Sequence, residues 1–373
     1  MRFETLAIHA GLDIENPSAS IVPPISPSTI FEIGKEGRSE DELHYTRLGN
    51  PNRLQFEHLI AVLEQGSAAA AFSSGIAAAS AILQALDPGD HIIIPEDVYS
   101  GNRKLVKLIM NRWGLRSSFI DMTSLERIEE AIRPETRLIW IETPSNPLMR
   151  ITDIAAVTVL AQKHGIRTVV DNTWPSPVNQ LPLKLGADLV MHSTSKYFGG
   201  HSDILGGAVV TKAEDDFFSR IRTIQRMGGA VPSPQDCWLL ARSTRTLAYR
   251  MRGHNEHAAE VARFLSDHPR VADVYYPGLE SHPGHDIAKK QMKGFGGMIS
   301  FLVDGGEKES IAIVGRSKLI KRATSLGGVE STWEHRKSSE GEGSVSLDNL
   351  IRVSIGLEHP DDLKEDLHQA LKR

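Results

Sequence analysis

Lys196 closes the run His192-Ser193-Thr194-Ser195-Lys196, after the apolar segment Ala187-Asp188-Leu189-Val190-Met191 and directly before Tyr197-Phe198-Gly199-Gly200. A primary amine at the mouth of a strand can condense with an aldehyde to a Schiff base, and the hydroxyls of Ser193 and Ser195 can hydrogen-bond phosphate oxygens. The segment therefore suits a lysine meeting a phosphate-bearing aldehyde. A Ser- and Gly-rich loop holding an incidental lysine is the competing reading. Asp171, 25 residues upstream, ends the β-branched run Arg167-Thr168-Val169-Val170. An acid at the carboxyl end of a buried parallel strand lies where open α/β sheets place ligands. Pyridoxal phosphate needs such a pair: a lysine for its aldehyde and a carboxylate to keep its ring nitrogen protonated. Asp171 capping the following turn is the alternative. Ser73-Ser74-Gly75-Ile76 supplies a third part, because a serine cap and small residues at a helix start present free N–H groups to an anion. The chain lacks G-x-x-x-x-G-K-[ST], and Gly294-Phe295-Gly296-Gly297 has no acidic partner about twenty residues on, so it reads as a strand-entry turn.

These residues need a scaffold of alternating strands and helices, and the pattern predicts one. Strands are expected at Ala69–Phe72, His91–Pro95, Leu138–Glu142, Thr168–Asp171, Leu189–His192 and Gly207–Val210. Helices are expected at Phe56–Leu63, Gly75–Leu86, Arg103–Arg112 and Ile154–His164, with a short crossover over Val178–Leu185. Alternation of this kind implies a mainly parallel sheet covered on both faces. Residues 1–47 are polar and broken by Pro17, Pro23, Pro24 and Pro27, and read as an extended arm seeking a neighbouring subunit. Residues 48–243 read as the cofactor domain. Residues 244–373 read as a smaller α+β domain: a long helix from Arg245, strands near Val271–Tyr276, Met298–Leu302 and Leu350–Ser354, and a closing helix Pro360–Leu371. Ser338–Ser344 reads as a mobile loop.

In this order the motifs resemble the pyridoxal-phosphate-dependent transsulfuration enzymes, the Cys/Met metabolism family. The likeness runs through Thr5–Gly11, Tyr45-Thr46-Arg47-Leu48-Gly49-Asn50-Pro51, Ser73-Ser74-Gly75 and Asp97-Val98-Tyr99-Ser100-Gly101. It continues through Glu142-Thr143-Pro144-Ser145-Asn146-Pro147, Val170–Thr173, the lysine segment, Tyr276–Leu279, Ser325–Ser331 and Ile351–Glu358. The resemblance implies an α/β fold of the fold-type I, aspartate aminotransferase-like class, with a homodimer as the minimal active unit and a homotetramer as the expected assembly. It implies Lys196 as Schiff-base lysine, Asp171 as pyridinium partner, Tyr99 stacked on the ring and Asn146 at its 3′-oxygen. Ser74, Gly75, Ile76, Ser193 and Ser195 would hold the phosphate, with Tyr45 and Arg47 reaching it from the neighbouring subunit. Arg352 and Ser325 would hold the substrate α-carboxylate, for which an arginine fork is suited. A surface ion pair for Arg352 and an exposed turn for Tyr45 and Arg47 are the plainer alternatives.

The chain departs from the family in four places. Ser195 replaces the usual threonine, and the arginine expected after Tyr99 falls on Lys104 or is displaced to Arg103. Thr324 stands where γ-acting relatives often carry the glutamate that meets the distal amino group of cystathionine. Thr332-Trp333-Glu334-His335-Arg336-Lys337-Ser338-Ser339-Glu340-Gly341 replaces a Pro-containing segment ending Met-Thr-His, and Glu334 is the nearest candidate to replace the missing carboxylate. The expected activity is elimination or replacement at Cγ or Cβ of a sulfur-containing or O-activated amino acid, of cystathionine γ-synthase or γ-lyase type. Cystathionine β-lyase, methionine γ-lyase and a catalytically weak cofactor-binding regulator remain alternatives.

Composition agrees with a metabolic enzyme. A net charge of −5 in 373 residues shows no basic footprint for nucleic acid, and the most apolar stretch, Ala68–Leu86, is broken by Ser73, Ser74, Gly75 and Ser80. No secretory leader is read at the N-terminus and no membrane anchor anywhere. A lone Cys237, at the start of a helix expected to be buried, fits a reducing cytoplasm and packing rather than nucleophilic attack. His254 and His257 sit on one helical stretch without a third ligand, so no metal is expected and solvent-facing or capping roles are.

Overall fold

The computed structural model describes residues 1–14, 16, 18–34, 43–341, 344 and 346–372. Seven strands form the larger sheet: β1 (Ala68–Phe72), β2 (His91–Pro95), β3 (Arg116–Ile120), β4 (Thr136–Glu142), β5 (Arg167–Asp171), β6 (Leu189–His192) and β7 (Gly207–Thr211). Their order is β1-β7-β6-β5-β4-β2-β3. Only β7 runs against its neighbours, pairing antiparallel with both β1 and β6. The sheet is thus mainly parallel, as the alternation required, and fold-type I in character.

Side chains of successive strand residues point to opposite faces, and here both faces are dry. Val169 joins one apolar cluster with Ile92 and Trp140, while Val170 joins another with Ile93 and Ile141. Each fully buried Val or Ile contributes roughly 1.5–3 kcal/mol, so burial on both faces explains why these strands read as continuous apolar runs. The sheet's β1 edge is closed by side chains. Glu57 accepts from Ala71 N at 2.7 Å, Gln225 donates to Ala71 O at 2.6 Å, and Arg222 donates to Ala69 O. Unpaired edge groups are otherwise templates for association.

The smaller sheet holds β8 (Val271–Tyr275), β9 (Met298–Val303), β10 (Lys321–Arg322), β11 (Thr332–His335) and β12 (Leu350–Ser354), ordered β10-β11-β12-β9-β8. Helices Leu247–Ser266, Glu307–Arg316 and Pro360–Leu371 share its core through Leu265, Ile313 and Leu367. Ile351 and Val353 of β12 and Trp333 of β11 face that core. The period of two then sends Arg352 and its cross-strand partner Glu334 to the opposite face.

Several elements differ from expectation. The arm opens with helix Phe3–His9, whose Ala7 is buried in the core with Phe3, Leu6 and Ala10 packed beside it. That i, i+3, i+4, i+7 spacing is a helical signal masked by the prolines that follow. The helix expected over Arg103–Arg112 spans Ser100–Leu108 and gives way to a 3₁₀ turn, Met110–Trp113. β3 escapes the sequence because Arg-Ser-Ser-Phe-Ile carries little apolar pattern, and as an edge strand it needs little. Ser338, Ser339 and Glu340 lie in helix Arg336–Glu340 rather than in a loop, while Glu342 and Gly343 lie outside the described residues.

Candidate active site

The ends of β5 and β6, the turn before helix Gly75–Gln84 and the far face of β12 converge on one cleft of about 260 Å³. Lys196 follows β6, and its Nζ donates to Ser325 Oγ at 2.5 Å. Burial and the nearby Arg352 charge, opposed in part by Glu334, pull the Lys196 amine down to about 8. Ser325 has φ +91, a left-handed conformation costing a non-glycine residue on the order of 1–3 kcal/mol. The segment is pinned next to it, where Gly327 N donates to Ser354 Oγ at 3.0 Å.

Asp171 caps the next turn, as one of its two readings had it, and it also lines the cleft. Its Oδ1 accepts from Thr173 N at 3.1 Å and from Thr173 Oγ1 at 2.5 Å. Thr173 Oγ1 in turn accepts from Ser193 N at 2.9 Å, which ties the acid to the lysine segment. Glu142, opposite Asp171 in the β4–β5 register, lines the same cleft and accepts from Tyr99 N at 3.0 Å. Burial, then the Asp171 charge, raises Glu142 well above the ordinary carboxyl range. Burial raises Asp171 as well, with the Thr173 hydrogen bonds opposing that rise, and two buried carboxyls side by side disfavour double ionisation.

The phosphate cradle is a matter of backbone approach. Ser74 caps helix Gly75–Gln84, its hydroxyl accepting from Ala77 N at 3.2 Å. A Cβ on Gly75 would stand 2.7 Å from Ser193 Cβ, so glycine is required where the two loops meet. Ile76, Ser193 and Ser195 line the cleft there, and Ser195 Oγ accepts from Gly206 N at 2.9 Å. Tyr99, half-exposed at 46 %, precedes helix Ser100–Leu108. A Cβ on Gly101 would lie 2.3 Å from its ring, so that glycine makes room for the aromatic face. This donor set fits a pyridine aldehyde phosphate: an amine, a carboxylate, an aromatic face and a helix N-terminus around one space.

Arg352 is buried, not a surface ion pair. Its Nη1 donates to Asn146 Oδ1 at 2.9 Å and its Nη2 to Glu334 Oε1 at 2.5 Å, with Ser325 O at 3.4 Å. Burial and the charge of Arg336 bring it down to about 10. Thr324 lines the cleft beside Ser325. Glu334 is engaged by two arginines, the same Oε1 also accepting from Arg336 Nη1 at 2.8 Å, while its Oε2 makes no hydrogen bond. Tyr45 and Arg47 stand outside this chain's cleft: Arg47 donates to Arg226 O at 2.6 Å and lies over the Tyr45 ring at 5.5 Å. Glu142 and Arg336 were not singled out as site residues on sequence, and Glu334 was named only as a candidate for the substrate's distal amino group. An acid ending a strand before Thr143-Pro144 was a signal for the first.

Other candidates are structural. Cys237 is buried, and burial raises its thiol. His254 is fully buried rather than solvent-facing, bonding Ile355 O at 2.8 Å, and His257 meets Gly356 O at 3.3 Å. Among the described residues no cluster of three or more His, Cys, Asp or Glu is placed to hold a metal, and no helix is long and apolar enough to cross a membrane.

Comparison with known proteins extends the likeness to the whole chain. A cystathionine gamma-synthase of Mycobacterium tuberculosis is 44% identical over 98% of this chain and 96% of its own. A cystathionine gamma-lyase of Bacillus subtilis is 43% identical over the full length of both. The crystal structure of metB from Corynebacterium glutamicum superposes with a TM-score of 0.96 at 43% identity, covering 100% of this chain and 98% of that one. Residues 4–372 match the family described as Cys/Met metabolism PLP-dependent enzyme. With cleft, fold and sequence in agreement along its length, the chain belongs to that family of pyridoxal-phosphate-dependent enzymes.

Proposed function

We propose that this enzyme acts at Cγ of a homoserine- or homocysteine-derived amino acid, in the manner of a cystathionine γ-synthase or γ-lyase. The observation that carries the reading is the meeting of Lys196 Nζ with Ser325 Oγ under the buried Arg352, across the two sheets. When bound, pyridoxal phosphate supplies an electron sink for the bonds at Cα. Every other role falls to the chain. Asp171, beside Glu142, would face the ring nitrogen and keep a proton on it. Tyr99 would cover the ring face, Asn146 would meet its oxygen, and Ser74, Gly75, Ile76, Ser193 and Ser195, which all line the cleft, would hold the phosphate. Arg352 and Ser325 fix the α-carboxylate, and Lys196 Nζ moves the Cα proton, its lowered basicity leaving roughly a tenth of it neutral at pH 7.

The same reading divides the chain into an arm (1–47), a cofactor domain (48–243) and a C-terminal domain (244–373), and places the enzyme in the cytoplasm. It builds each site from two chains, with Tyr45 and Arg47 reaching the neighbour's phosphate. The arm's exposed Ile21, Val22, Ile30 and Ile33 support such a contact. A dimer is then the minimum. Mixing Arg47→Ala with Lys196→Ala subunits should restore activity to the hybrid site that carries both groups; no recovery despite verified subunit exchange counts against sharing.

L-Cystathionine tests the chemistry. Release of 2-oxobutyrate marks action at Cγ, whereas pyruvate marks a β-lyase and overturns the γ assignment. An absorbance band of the bound cofactor that ignores every amino acid would leave a binding protein without turnover.

A further inference from the structure

Arg336 stands in the cleft without a task in the chemistry above. Its side chain is 4% exposed, and it lines the cleft together with Asn146, Thr324 and Arg352. Nη1 donates to Glu334 Oε1, but Nε and Nη2 have no hydrogen-bond partner. Nη2 does lie 2.9 Å from Glu340 Oε1, an ion pair without hydrogen-bond alignment. Buried donors left unmade are costly, and guanidinium donors more so than neutral ones. Of the neighbouring acids, Glu340 Oε1 meets Nη2 only as that ion pair, and Glu334 shares Oε1 between two arginines while its Oε2 makes no hydrogen bond, so Nε is left without a partner.

A second observation gives the sign of the missing partner. Beside Asn146, which lines both spaces, lies a further cavity of about 330 Å³. Arg103, Lys104 and Lys107 line it, and Glu340 is the one acid among its described lining residues. Cations outnumber carboxylates around this end of the cleft, and walls of one charge sign concentrate counter-ions of the other. Thr324 adds no charge.

Resting on the Cγ chemistry proposed above, we infer that Arg336 is a specificity-determining residue that reads an anionic group, carboxylate or phosphate, at the far end of the substrate side chain. Arg352 takes the α-carboxylate and Arg336 the distal anion, so the two guanidiniums on Glu334 measure the substrate from both ends. A planar guanidinium matches either oxyanion with two parallel N–H donors.

The test uses cofactor-loaded enzyme and two homoserine esters that differ at the distal carboxylate, O-succinyl-L-homoserine and O-acetyl-L-homoserine. Without a thiol, γ-elimination from either yields 2-oxobutyrate. Wild type should favour the succinyl ester in kcat/KM by about tenfold or more, and Arg336→Gln should cut that ester by about 10- to 100-fold, chiefly in KM. The acetyl ester should change by no more than about twofold, and Arg336→Lys should retain part of the preference. Running O-phospho-L-homoserine in parallel tells phosphate from carboxylate. Equal losses for both esters in Arg336→Gln, with normal cofactor absorbance, overturn the inference and leave Arg336 a support for Glu334. Should that variant fail to fold, Glu340→Gln decides: release of Arg336 should raise the succinyl preference severalfold, and an unchanged preference overturns the inference. Equal use of the esters by wild type sinks it alone. No turnover of either ester by wild type sinks it together with the Cγ reading.

Discussion

The two walls of the cleft are built in opposite ways. On the large-sheet wall, Asp171, Thr173, Ser193 and Gly75 interlock through short-range hydroxyl and backbone contacts between adjacent strand ends. On the small-sheet wall, Arg352, Glu334, Arg336 and Glu340 form a buried chain of charges from β11, β12 and the helix after β11. The first wall is fixed by local shape. The second depends on charged partners whose desolvation is offset only while all of them remain. Damage to the first should therefore appear in cofactor binding, and damage to the second in substrate recognition and stability.

The sharpest break is Lys196→Ala, on the seam between the walls. We expect a loss of kcat of about 10²- to 10⁴-fold or more with the fold intact, because a positioned proton-transfer group typically contributes that range. Stopped-flow turnover with circular dichroism checks it, and a tenth of wild-type kcat remaining would remove Lys196 from that role.

Glu334→Gln should strike the charged wall alone. Removing one partner from a buried pair costs roughly 3–5 kcal/mol, and here two buried guanidiniums lose their shared anion. Denaturant unfolding should show that loss, and KM for the amino acid should rise while cofactor affinity holds. A variant as stable as wild type would mean that Asn146 and Ser325 O suffice for Arg352.

Gly75→Ala is the mirror experiment. Its Cβ would press on Ser193, and overpacking of this kind costs typically about 1–3 kcal/mol. Cofactor titration should weaken, while KM of the loaded fraction stays put; a changed KM would show that the walls are coupled.

The smallest effect is on pH. A lysine at its ordinary 10.5 would take up an aldehyde faster with every unit of rising pH to above 10. With Lys196 lowered to about 8, cofactor uptake by the apoenzyme should rise up to about pH 8 and then level. Continued increase to pH 10 would show that burial and Arg352 do not depress this amine.

How much of this was legible follows the same division. The lysine segment, Asp171 and Ser74-Gly75 were readable because strand ends, turns and caps announce themselves within a few neighbouring residues. β2, β6, β12 and the closing helix fall where their apolar patterns put them. Glu334 and Arg336 were legible only as a departure from a family motif. Their pairing with Arg352 needs β11 laid against β12 in one register, and the β11 residues carry no pattern that announces a strand.

Sequence by itself determined the α/β class, the cofactor and the residues proposed to meet it, since each rests on short segments with strong local preferences. Only the tertiary structure decided that one oxygen of Glu334 serves two arginines, that Glu142 stands beside Asp171, and that Arg336 enters the cleft with donors unmet. Those facts depend on which charges are buried together. Burial partners are set by strand register and sheet packing, which bring Glu334 to Arg352 and Glu142 to Asp171 by cross-strand pairing that no local pattern encodes.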